Sequence, residues 1–245
     1  MKQIIAHRGA SAYAPENTMA SMNEALNLGS RFVEFDVMLS ADGQPFIIHD
    51  HTLKRTTNGS GEFGLVDAQY IQSLDAGYWF SKRYQGEKIP SFENVLQWLL
   101  AFDVQANIEI KPYPGATEKT TIEVLACINR HWPRDKKLPL VSSFDLDALS
   151  VCRGLSPEMP LGLLLHKWHK DWLKRANELR CYSVHLSLRA ATRAHIEEIK
   201  ANGFKVFVYV VNQKRLALKL MDWGVDAVFS DYPDLLGTAH VSTAE

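Results

Sequence analysis

Nine short runs rich in β-branched and aromatic residues recur along the chain, and the spacing between them limits the folds open to it. They cover residues 3–6, 32–37, 45–49, 107–110, 140–143, 161–165, 182–186, 205–211 and 227–230. The runs alternate with segments of helical period, the habit of a parallel sheet built from strand–helix units. Between the second and third runs there is only a short stretch around SADGQ. A parallel crossover needs about a dozen residues or more, so those two runs must pair as an antiparallel hairpin. With residues 45–49 set aside as that excursion, eight strands remain, each followed by enough chain for a helix. Eight is the number that closes a (β/α)8 TIM barrel, an α/β fold that commonly takes about 250 residues as a single domain. The chain has 245. An open, doubly wound sheet is the competing arrangement, but no G-x-G-x-x-G follows the first strand, where a dinucleotide fold places it.

Helix starts fall where the barrel needs them. Pro15, Asn17 and Thr18 precede MASMNEAL, and Ser91 precedes FENVLQWLL, whose apolar residues keep helical spacing. Residues 51–89, rich in Gly, Asn, Ser and aromatics, are too long for a simple connection and read as a small insertion. Leaving from the end of the His49 strand, it should lie over the barrel mouth, where lids belong. Its Tyr78, Trp79, Phe80 and Tyr84 alternate with Asp75, Lys82 and Arg83, which favours packing against the barrel over an exposed membrane anchor.

Composition removes several classes of function. Apolar residues at 46% and charged residues at 22% describe a globular core, not a disordered chain. A net charge of −1 argues against a nucleic-acid binder, so an anionic substrate must meet a local positive cluster. No apolar run approaches the roughly 20 residues of a transmembrane helix, and no leader or basic amphipathic segment stands out. These features lead us to expect a cytoplasmic protein without stable membrane association. Cys127, Cys152 and Cys181 are few, odd in number and widely spaced, as suits reduced buried thiols. Nothing fixes an oligomeric state.

Chemistry-bearing residues collect at the strand ends. Glu34 and Asp36 stand two apart in FVEFDV, so the strand period aims both at one face. Glu109 and Lys111 repeat the geometry in NIEIKP on the next parallel strand. Three carboxylates beside one lysine fit either a bound hard cation or an internal salt-bridge network. His7 and Arg8 close the first strand and His49 the hairpin strand. Phosphodiester cleavage needs such a set: positive charge for the phosphate, a base for the nucleophile and an acid for the leaving oxygen. Histidine serves either proton role near neutrality.

The blocks HRGASAYAPENT, VEFDV, PFIIHDHTLKRTTNG, IPSFENVL, IEIKP, VSSF and GVDAVFSDYPD resemble the glycerophosphodiester phosphodiesterase family in order, spacing and residue type. The resemblance runs over essentially the whole chain and is nearest to the compact bacterial cytoplasmic type. It implies His7 and His49 as the acid and base pair, Glu34, Asp36 and Glu109 as ligands of one divalent ion, Mg2+ or Ca2+, and Arg8 and Lys111 as phosphate contacts. Where the family commonly has Trp-Thr-Val-Asn, this chain has Tyr209, Val210, Val211 and Asn212, which keeps an aromatic wall for the substrate. The pattern asks for His49 and Asp50 but not His51. The implied reaction is hydrolysis of a small glycerophosphodiester to glycerol 3-phosphate and an alcohol, with water or the glycerol's own hydroxyl as attacking group. A lysophospholipase D-like lipid enzyme and a noncatalytic phosphate-binding barrel are the rivals. Apolarity around the mouth separates the first, metal-dependent turnover the second.

Other histidines carry less. His166 and His169, three apart in LLLHKWHKDW, read as a solvated helical face rather than a ligand pair. His185 ends the sixth barrel strand, where it would line the mouth. Glu16 and Asn17 lie in the first strand–helix loop, as site supports or, for Asn17, as a helix cap.

Overall fold

In the computed structural model, which describes residues 3–237, the strands are β1 (Gln3–His7), β2 (Phe32–Leu39), β3 (Pro45–Ile47), β4 (Gln105–Ile110), β5 (Leu140–Ser143), β6 (Leu161–Leu165), β7 (Ser183–Ser187), β8 (Lys205–Tyr209) and β9 (Ala227–Ser230). Every strand but β3 runs parallel to its neighbours, in the order β1-β9-β8-β7-β6-β5-β4-β2. Pairing of β1 with β2 closes the ring. The third strand lies antiparallel on β2, the hairpin that the short SADGQ link requires. This is the (β/α)8 barrel, carrying a hairpin extension of its second strand.

Helices α1 (Met19–Asn27), α2 (Ala68–Ser73), α3 (Phe92–Phe102), α4 (Thr117–His131), α5 (Leu146–Leu155), α6 (Trp172–Glu178), α7 (Arg193–Ala201) and α8 (Lys214–Asp222) connect the strands. All except α2, which belongs to the insertion, follow barrel strands. The expected eighth outer helix is absent among the described residues: after β9 the chain forms turns to residue 237. Thr18 caps α1 by accepting from the Ser21 amide, and Ser91 caps α3 through Asn94. Asn17, offered by the sequence as a cap, is committed elsewhere.

All eight residues of β2 are buried, because a barrel strand has an apolar layer on both sides. Val33, Phe35 and Val37 face the helices and join the large core with Ile108, Val124 and Leu149. Phe32 turns inward to Ile5, Leu140, Phe207 and Phe229. Full burial of each such side chain stabilises the fold by about 1.5–3 kcal/mol. Inside, polar residues replace this layer toward the carboxyl end, and the site begins there.

The insertion has a core of its own. Leu53, Phe63, Ile71, Leu74 and Ile89 pack with Met38, Phe46 and Ile48 of the hairpin. Tyr84 donates to the Tyr13 carbonyl at 3.0 Å and Glu87 accepts from the Ala20 amide at 3.0 Å, so the segment lies against the β1–α1 loop. Phe80 sits edge-on between Trp79 and Tyr84, while Tyr78 is 57% exposed. Among the described residues no helix is long and apolar enough to cross a membrane.

The hairpin strand stops at Ile47, so His49 stands two residues beyond it, although Ile48 still donates to the Asp36 carbonyl. His166 and His169 are exposed in the loop before α6, not on a helical face. His185 does not reach the mouth. It is wholly buried inside the barrel, stacked on Phe207 at 4.9 Å, with Nε2 2.8 Å from Ser183 Oγ.

Candidate active site

The pairing register brings the charged residues together. His7 lies opposite Glu34 across β1 and β2, and Asp36 opposite Glu109 across β2 and β4. Parallel strands in register deliver these side chains to the same end, the carboxyl rim on which barrel enzymes build their sites. The carboxylates of Glu34, Asp36 and Glu109 each offer an oxygen, all within 4.8 Å of one another. They are 3%, 1% and 9% exposed, so water cannot screen their mutual repulsion.

Positive and polar groups surround the trio. Past β1 the chain turns through Arg8, in the left-handed region at φ 55°, and its amide donates to Glu34 Oε2 at 3.0 Å. The guanidinium Nε is 3.3 Å from Asp36 Oδ2 without hydrogen-bond alignment, and Nη1 donates to Glu16 at 2.7 Å. Lys111 Nζ stands 3.8 Å from Asp36 Oδ1. Asn17, also left-handed, donates Nδ2 to Asp36 Oδ2 at 2.9 Å, the duty that takes it from the helix cap.

Burial, with Asp36 and Glu109 beside it, pushes the Glu34 carboxyl well above its ordinary range. Burial and then Asp36 push Glu109 up to about 8. At Asp36 burial acts the same way, yet Arg8, Lys111 and His49 outweigh it and hold the group down. A cluster in which two of three acids resist ionising is short of positive charge. All-oxygen donors at this separation suit a hard divalent cation, and the residues fit one.

Each site histidine is held from behind. His7 Nδ1 lies 2.7 Å from Asp231 Oδ1, and that aspartate also accepts from Ser11 at 2.9 Å and from Asn212 at 2.5 Å. His49 Nδ1 lies 2.6 Å from Asp50 Oδ1, whose carboxylate also accepts from Arg55. Neither Asp231 nor Arg55 stood out in the sequence. Both belong to loops, Asp231 at the far end of the chain from His7 and Arg55 in the turn after His49, and no periodicity connects them to the histidines. Burial, together with Arg8 and Lys111 and against the pull of Asp36, holds the His49 pKa below its usual value.

A cavity of about 150 Å³ joins these groups, lined by His7, Arg8, Glu34, His49, Glu109 and Tyr209. Tyr209 meets Phe144 edge-on at 5.9 Å, forming one wall. Its hydroxyl is buried without a partner, as is Oδ1 of Asn107 on the cavity floor. A larger space, about 360 Å³, opens at the opposite end of the barrel beside Gln3, Gln105 and Lys205. There Lys136 is paired with Asp103 and Lys205 with Asp226, so the chemistry belongs to the smaller cavity. His51 stays outside, exposed and edge-on to Tyr113 at 5.7 Å.

Known proteins resemble this chain over nearly its whole length. The chain is 34% identical over 242 residues to a glycerophosphodiester phosphodiesterase of Caldanaerobacter subterraneus, the alignment covering 95% of each. It is 33% identical over 255 residues to one of Bacillus subtilis, covering 94% of this chain and 84% of that one. A solved phosphodiesterase of Oleispira antarctica, in complex with the product sn-glycerol-3-phosphate, is 39% identical with a TM-score of 0.92, covering 95% of this chain and 94% of that one. A model of the glycerophosphoryl diester phosphodiesterase family matches residues 7–235. That span takes in the barrel from the last residue of its first strand to beyond its last strand, and the chain belongs to the glycerophosphodiester phosphodiesterase family of phosphoric diester hydrolases.

Proposed function

We propose that the protein hydrolyses small water-soluble glycerophosphodiesters to sn-glycerol 3-phosphate and an alcohol, with His7 and His49 as its acid and base. One observation carries this reading: two imidazoles, each backed at Nδ1 by an aspartate, share a cavity with Glu34 and Glu109 of a buried acidic trio. The Oleispira antarctica relative, solved with sn-glycerol-3-phosphate, supports the choice of product.

An aspartate that accepts from Nδ1–H fixes the ring tautomer and leaves Nε2 to exchange protons with the substrate. His49, whose pKa is held down, starts neutral and suits the base that takes the nucleophile's proton. His7 then protonates the leaving oxygen. Arg8, on the cavity wall, and Lys111, 3.8 Å from Asp36, would meet the phosphate, while Tyr209 and Phe144 wall the substrate and exclude water on their side. Glu34, Asp36 and Glu109 would hold one Mg2+ or Ca2+. Bound there, such an ion supplies charge neutralisation for an anionic diester. We read residues 51–89 as part of the same catalytic unit, flanking the mouth.

A cavity of this size accepts a short diester more readily than a diacyl lipid. The test is purified protein with glycerophosphocholine, glycerophosphoethanolamine and glycerophosphoglycerol, read by a coupled assay for glycerol 3-phosphate. Turnover should vanish on chelation and return with Mg2+ or Ca2+. Absence of glycerol 3-phosphate from all three substrates, or full activity after verified metal removal, contradicts the reading.

A further inference from the structure

The insertion reaches the site through Arg55, in the turn that follows His49. Its guanidinium lies between two carboxylates and hydrogen-bonds both. Nε and Nη2 donate to Asp50 at 2.5 and 3.0 Å, and Nη1 and Nη2 donate to Glu16 at 2.7 Å each. Each carboxylate is shared with a residue of the cavity. Asp50 Oδ1 also meets His49 Nδ1 at 2.6 Å, and Glu16 Oε1 also accepts from Arg8 Nη1 at 2.7 Å. The result is a hydrogen-bonded line, His49–Asp50–Arg55–Glu16–Arg8, that joins the proposed base to the proposed phosphate contact across two loops.

The arrangement suits orientation better than support of the fold. Arg55 has 44% of its side chain exposed, where ion pairs contribute little to stability. Its two partners are more enclosed, at 13% and 23%, and the planar fork fixes the angle of each in a way that a point charge cannot. We propose that Arg55 is a positioning residue that sets His49 through Asp50 and Arg8 through Glu16, so that the insertion completes the active site. This rests on the roles given above to His49 and Arg8.

Arg55→Ala should lower kcat and raise KM for glycerophosphocholine, together on the order of 10–100-fold in kcat/KM, as is usual for residues that orient first contacts. The two arms should separate. Adding Asp50→Asn to Arg55→Ala should cost less kcat than Asp50→Asn costs in the parent, and adding Glu16→Gln should raise KM by less than it does in the parent, because each partner has already lost its anchor. Guanidinium, at concentrations well below those that unfold the protein, should recover part of kcat in Arg55→Ala, and Arg55→Lys should recover less than half of the parent kcat/KM.

Rates within twofold of the parent for Arg55→Ala overturn the proposal. So do losses that multiply independently in the double variants. A fall in activity that tracks a fall in unfolding temperature, with no recovery by guanidinium, marks Arg55 as merely structural and overturns it too. His49→Ala measured alongside keeps the two readings apart. Turnover surviving in His49→Ala breaks the acid–base assignment, whereas an inactive His49→Ala beside a near-normal Arg55→Ala breaks only this one.

Discussion

At the scale of single residues, proton transfer is concentrated in two side chains. His7→Ala and His49→Ala should each lower kcat by about 10²–10⁴-fold while circular dichroism and the unfolding midpoint stay close to the parent. Near-normal turnover in either folded variant removes that histidine from the mechanism. Asp231→Asn keeps the shape of the carboxylate but loses its charge and one of its two acceptor oxygens, which unsettles the His7 tautomer. It should cost about 10²-fold or more in kcat, checked by steady-state kinetics. Strand parity in the sequence placed Glu34, Asp36 and Glu109 on one interior face, since a period of two leaves no other choice. Parity gives the face and not the depth, which is why His185 reads as a mouth residue. It lies one inward position below Ser187, which pairs with Tyr209, and is stacked on Phe207. The aspartates and arginine behind the histidines sit in loops, where side-chain direction follows from contacts made only after folding.

Elements set those residues by packing, and β6 shows how little room is left. A Cβ on Gly162 would fall 2.6 Å from His185 Cε1 and 3.1 Å from Ser142 Cβ, inside the barrel. Gly162→Ala should destabilise the fold by roughly 1–3 kcal/mol, the usual effect of forcing atoms into a filled core. Urea unfolding measures it, and an unchanged midpoint contradicts the packing described. Strand existence was legible throughout, because runs such as LVSS and LGLLL alternate with helical segments. Strand ends were less so. The hairpin partner extends β2 to Leu39, where Leu39 pairs with Pro45, while pairing in β8 ends at Tyr209, short of Val211. Both limits depend on the neighbouring strand, which the local run does not contain.

For the molecule as a whole, the acidic trio makes stability depend on pH. Glu109 releases its proton near 8 in the folded chain, and Glu34 is raised well above the ordinary value of 4.5. Between the ordinary and the folded values the native state binds more protons than the unfolded chain, so each rise in pH withdraws stability. Metal-free protein should therefore have a lower unfolding temperature at pH 8 than at pH 5.5. Mg2+ or Ca2+ should restore it, most strongly at pH 8, where protons no longer compete for the ligands. A flat profile in scanning calorimetry argues against the cluster. Substrate preference is a second whole-molecule property. Glycerophosphocholine should be cleaved faster than lysophosphatidylcholine or phosphatidylcholine vesicles, and faster lipid cleavage would turn attention to exposed Tyr78 and Trp79. The contact between His7 and Asp231 spans 224 positions of sequence. Synthesis from the ribosome delivers the histidine first and its carboxylate only after β9 has emerged, so no amino-terminal fragment can assemble the proton relay on its own. Fragments cut between α7 and β8 should be inert separately and regain turnover only on reassociating, which makes catalytic rate a direct report of ring closure.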